Sequence, residues 1–158
     1  PPGRGRGPAG WPSLALPGGA AVLSYPPALR RVTGDAGAVS VALRGPGGAW
    51  LEYLNATPRQ GAETLRNWAA FRLGLLRADD ASSARADAAA AGVAFRGGTG
   101  SCLIDDYVTR IGGHHYQELA CLVQGRAGAS VIVAAAPAAL WARALPTLER
   151  AVAAYRVR

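Results

Sequence analysis

The residues best equipped for chemistry lie in one stretch, GSCLIDDYVTRIGGHHYQELACLV, from Gly100 to Val123. It holds both cysteines, both histidines and three of the ten acidic residues of this 158-residue chain. Carboxylates and imidazoles can hold a divalent ion or move protons, and two cysteines can form a disulfide. The apolar–polar alternation around Gly112-Gly113 predicts a β-hairpin. If Gly112-Gly113 is a two-residue turn, Cys102 lies opposite Val123 and Cys121 opposite Ile104, so the sulfurs sit diagonally on one face. A turn at Ile111-Gly112, or a bulge, brings Cys102 directly opposite Cys121 instead. In either register the side chains come close, and a Cys102–Cys121 disulfide is expected. Closing a loop of that length stabilises by about 3 kcal/mol.

In the shifted register Asp105 faces Glu118, with Tyr107 and His114 on the same face. A metal site needs three or four converging ligands, and this spacing guarantees only two. His114 and His115 point to opposite faces of a strand and cannot act together. Asp105, His114 and Glu118 are therefore marginal metal candidates, joined by Asp106 if acid–base chemistry is considered. The plainer expectation is a solvated outer face near a turn, with no catalytic residue and no cofactor.

Other motifs fail for specific reasons. GGTGS (97–101) has the glycines of a phosphate loop but lacks the lysine and the following helix. It also misses the nucleophile elbow, because Gly100 stands where the serine should be, and Ser101 has no His–Asp partner. Asn55-Ala56-Thr57 is a formal glycosylation sequon at the end of an expected strand. Trp50, Trp68 and Trp141 are expected in the core, with an aromatic ligand groove as the sharper alternative.

The elements that must position these residues are mostly short strands. AAVLSY, ended by Pro26-Pro27, and ALRRVTG are the first two candidates. AVSVALR leads through GPGG into WLEYLNAT as a hairpin, with Val39, Val41 and Leu43 on one face. The period then changes: in GAETLRNWAAFRLGLLRAD, Leu65, Trp68, Arg72 and Leu75 share a stripe flanked by Ala69 and Leu76. ASSARADAAAAG reads ambiguously, since alanine favours helix while its place before VAFR suits a loop entering a strand. A strand near Gly92–Arg96, the hairpin and SVIVAAA follow. Pro146 predicts a short turn over 138–144 and a final helix beginning near the proline, with Leu148, Val152 and Tyr155 facing the sheet. Strand runs with one middle and one terminal helix indicate an α+β class, an antiparallel sheet flanked by helices.

Composition narrows the function. The net charge of +7 comes from 17 basic residues that are all arginine, spread along the chain rather than gathered in one stripe. That pattern fits a basic surface of a GC-rich genome's protein better than an evolved polyanion site, so no nucleic-acid partner is expected. Two cysteines without a CxxC argue against zinc and against a thioredoxin-type redox pair. No apolar run approaches the roughly 20 residues that span a bilayer. Residues 1–17 are rich in proline and glycine and are expected to form a flexible tail, with one domain over 18–158. The opening PPGRGRGPAGWP is like the spacer after a removed signal peptide, so an extracytoplasmic location is expected.

Several segments together resemble a known family. VLSYPPALRRV, VSVALRGPGG before a strand, the middle helix, the late antiparallel strands and ALPTLERAVAAYRV resemble PsbP-like domains over about residues 20–157. YLNATPRQGAETLRNWAAFR with GSCLIDDY and ELACLV is also similar to a group of secreted or lipid-anchored actinobacterial proteins. The resemblance implies an α/β/α sandwich. It also implies a non-enzymatic accessory or binding role, which photosystem II extrinsic subunits illustrate, although nothing here matches a photosystem-docking segment. The expected function is thus an exported domain that binds or scaffolds a protein or small ligand at the cell envelope. Membrane contact, if any, would come only through an N-terminal lipid anchor. The alternatives are a small-molecule or lipid carrier with a groove between sheet and helix, and a metal-dependent site on the 105–118 hairpin.

Overall fold

The computed structural model describes residues 7–158. Seven strands form one antiparallel sheet: β3 (Arg30–Val32), β4 (Val39–Arg44), β5 (Trp50–Pro58), β6 (Ala81–Phe95), β7 (Gly98–Thr109), β8 (His115–Gly125) and β9 (Gly128–Pro137). Their order is β3-β4-β5-β9-β8-β7-β6. A small sheet of β1 (Ser13–Ala15), β2 (Ala21–Ser24) and β10 (Arg156–Val157) has β2 in its centre. Helix α1 (Trp68–Asp79) covers one face of the large sheet, and α2 (Trp141–Ala154) covers the other together with the small sheet. The α+β class and the layered sandwich are those expected from the pattern of elements.

Alternation along the strands builds two cores. Val41, Leu54, Cys121, Val123, Ile132 and Ala134 point toward α2, where Leu148, Val152 and Tyr155 meet them. The neighbouring residues Leu103, Ala120, Leu122, Val131 and Val133 point the other way, against Trp68 of α1. Central strand β9 is buried on both faces, which is why SVIVAAA is a nearly continuous apolar run.

Four expectations change. Residues 1–6 of the expected tail lie outside the described residues, but its later part joins the domain. Ser13–Ala15 pair with Ser24–Val22, Leu16 is buried, and Arg150 lies 5.2 Å from the Trp11 ring centre. Pro146 lies within α2 rather than at its start. The buried stripe of Trp141, Ala144, Leu148, Ala151 and Val152 supplies packing that outweighs one missing hydrogen bond. Leu75 is 38% exposed, whereas Trp68 and Leu76 carry the buried face of α1. The alanine-rich segment 81–91 resolves as part of β6, a 15-residue edge strand turning into β7 at Arg96-Gly97, where Gly97 takes φ 84°.

The hairpin adopts the shifted register. Cys102 pairs with Cys121, Asp105 with Glu118 and Tyr107 with Tyr116. The Gly112-Gly113 two-residue turn is not formed. Thr109 and His114 close a longer loop whose glycines both have positive φ, and the Thr109 hydroxyl accepts from the His114 N–H. Directly opposed, the cysteines have Cα atoms 4.1 Å apart and form the disulfide.

Candidate functional site

The odd-numbered residues of β7 and the even-numbered residues of β8 face α1. On that face a row crosses four strands, Tyr53–Ala135–Glu118–Asp105, and the next pair along the hairpin is Tyr116–Tyr107. Helix α1 lies over β6 and β7 and leaves the β5–β9 end of the row uncovered. Its start is fixed by reciprocal bonds between Thr64 and Asn67 and by the Trp68 indole, which donates to Ala120 O at 2.9 Å. One turn later, Arg72 Nη2 donates to both Glu118 oxygens, at 2.9 and 3.1 Å.

Asp105 and Glu118 are both fully buried, so the solvated face expected for them is corrected. Charged residues on a strand read as exposed until the helix that covers them is placed. Glu118 is neutralised by Arg72, but neither oxygen of Asp105 has a hydrogen-bond partner among the described residues. Burial, reinforced by the negative charge of Glu118, pushes the Asp105 acid up to about 9. At neutral pH Asp105 is therefore the neutral acid, and the cluster is one cation, one anion and one uncharged carboxyl. With both acids buried, it fastens α1 to the sheet.

The remaining hairpin residues do not join it. Asp106 lies on the opposite face, bonded to Arg85 Nε at 2.7 Å and to His115 Nε2 at 3.2 Å. That contact holds Asp106 below the usual carboxylate range against the opposing effect of desolvation. His114 is exposed in the turn, away from the buried acids. The proposed ligands Asp105, His114 and Glu118 thus do not converge, and no group of three potential metal ligands occurs among the described residues.

What the face does present is a cleft of about 290 Å³. Trp50, Tyr53, Tyr107 and Tyr116 wall it, with Glu52 and Ala135–Pro137 completing the lining. Trp50 and Tyr53 meet edge to face at 5.8 Å, and Tyr107 and Tyr116 lie 5.7 Å apart at 34°. Ala135, small and directly between Tyr53 and Glu118, leaves the space that a larger side chain would fill. All four rings are partly exposed. A second, more polar cavity of about 230 Å³ lies along α1, lined by Asn55, Thr57, Trp68 and Arg72 among others.

Of the three tryptophans considered for a ligand groove, Trp50 alone lines the aromatic cleft. Trp68 closes the polar cavity, and Trp141 is buried on the α2 face. The sequence placed Tyr107 on the face of Asp105 but did not group it with Tyr53 and Tyr116, because the three come from separate strands. Only Tyr107 and Tyr116 could have been paired beforehand, from the register that also aligns the cysteines.

No protein-family model matches the chain, and no curated protein matches it by sequence. Solved structures do. The solution structure of cyanobacterial PsbP from Synechocystis shares 16% identity with it, covering 98% of this chain and 96% of that one at TM-score 0.64. A protein of unknown function from Pseudomonas aeruginosa, a putative regulator, shares 12% over 90% of this chain and 94% of its own at TM-score 0.58. LpqN, involved in cell envelope biogenesis of Mycobacterium tuberculosis, shares 13% over 87% and 82% at TM-score 0.54. The fold is PsbP-like.

Proposed function

We propose that this PsbP-like domain is a non-enzymatic binding module that works outside the cytoplasm and recognises its ligand in the aromatic cleft. One observation carries the reading. Aromatic side chains from separate strands converge, partly exposed, around one cleft, while Asp105 and Glu118 are buried outside its lining. Rings left exposed together are costly unless something covers them. The Cys102–Cys121 disulfide supports export, because such bonds persist where thiols are not kept reduced. The likeness to an envelope-biogenesis protein points the same way.

The test has two parts. Fractionation of native cells with thiol alkylation should place the protein outside the cytoplasm with both cysteines oxidised. Isotope-labelled protein titrated with envelope extract should shift the Trp50 indole N–H and leave that of Trp141 unmoved. Cytoplasmic protein with free thiols, or shifts confined to the α2 face, would overturn the reading.

A further inference from the structure

We infer that the cleft walled by Trp50, Tyr53, Tyr107 and Tyr116 is a saccharide site, taking a neutral sugar ring; this rests on the binding role proposed above. A sugar offers apolar C–H faces and a rim of hydroxyls, so its complement is a set of aromatic faces with hydrogen-bonding groups beside them. The cleft has both. Trp50 and Tyr53 are nearly perpendicular, at 82°, and Tyr107 and Tyr116 form a more gently tilted pair, so one wall can stack on a ring while another grips its edge. The Trp50 indole N–H and the Tyr107 and Tyr116 hydroxyls make no hydrogen bond among the described residues. None belongs to the buried unpaired atoms either, so each reaches solvent and can meet a ligand hydroxyl.

Charge and size exclude the competing chemistries. A second cation is disfavoured at the indole, because the Arg44 guanidinium 4.1 Å from the centre of Trp50 already places a positive charge there, which does not oppose a neutral ring. An anion gains nothing, because the wall carries Glu52 and the neighbouring Arg72 is committed to Glu118. A cleft of about 290 Å³ lies just below the range for ligand pockets, roughly 300–1,000 Å³, and suits a single ring better than an extended acyl chain. The tyrosine hydroxyls would be poor company for such a chain in any case.

The experiment follows the Trp50 indole N–H of the full chain by NMR. Probes are methyl glycosides of glucose, mannose, galactose and N-acetylglucosamine, with choline and octanoate for comparison. A saturable shift with at least one glycoside, and none with choline or octanoate, is expected. The Tyr107→Phe, Tyr116→Phe double variant keeps both rings but loses both hydroxyls, and should bind about tenfold more weakly with an unchanged circular dichroism spectrum. No saturable response to any glycoside, or undiminished binding by the double variant, would overturn the proposal. A response to choline or octanoate alone would also overturn it while leaving the cleft a binding site. Silence toward every probe, with envelope extract still shifting Trp50, would reject the sugar and keep the binding role.

Discussion

At the scale of single residues, Asp105 sets the pH response. Its acid titrates near 9 in the folded protein and near ~3.9 in an unfolded chain. Between those values the native state holds a proton that the unfolded state has lost, so stability falls as pH rises from about 4 to about 9. Asp105→Asn should remove most of that slope, raising the melting temperature at pH 8 and leaving it nearly unchanged at pH 4. Thermal melts across the range check this, and an unaltered slope would refute it. Arg72→Met should cost about 3 kcal/mol or more, because it strands Glu118 as a buried, unpaired anion. Adding Glu118→Leu should restore much of the loss, which denaturant titration of both variants would measure. The pairing of Asp105 with Glu118 was legible in the sequence as one of two registers. Their burial was not, since it depends on Arg72, 46 residues from Glu118 along the chain.

At the scale of elements, the β7–β8 hairpin is held twice, by its ladder and by the Cys102–Cys121 bond on the α2 face. The double Cys102→Ser, Cys121→Ser variant should lose about 3 kcal/mol, a fall of roughly 10 °C in melting temperature for a chain of this size. A change within scan error would show that the ladder alone suffices. The hairpins and both helices could be read from periodicity, because alternation and the 3.6-residue stripe reflect contacts with an adjacent layer. Strand β6 could not. Residues 82–92 are exposed apart from Ala84, and alanine's intrinsic preference is helical, so the ladder to β7 makes the segment a strand. Register shifts after Ala81, Ala86 and Ala90 break the regularity of that edge, a common defence against pairing with another chain. Strand β1 was hidden for a related reason: three residues carry no period, and their partner is β2.

At the scale of the whole molecule, part of the basic charge is engaged within the structure. Arg44 stacks on Trp50, Arg72 pairs with Glu118, Arg77 donates to Ala84 O, Arg85 binds Asp106, Arg110 donates to Ala81 O, and Arg150 lies over Trp11. Arginines held by these contacts are less free to turn toward a phosphate backbone. Retention on duplex DNA should accordingly vanish by ~0.15 M salt, and binding that survives with a steep salt slope would contradict this. The sandwich was legible because each layer left its own period in the sequence, whereas the closure of its ends was not. Central strand β2 of the small sheet is zipped on one side to Arg156–Val157, so residues 21–24 wait for a partner more than a hundred positions downstream. An emerging nascent chain therefore cannot complete this domain progressively from its beginning. The small sheet gains its last strand only once residues 156–157 have been synthesised, after every strand of the large sheet.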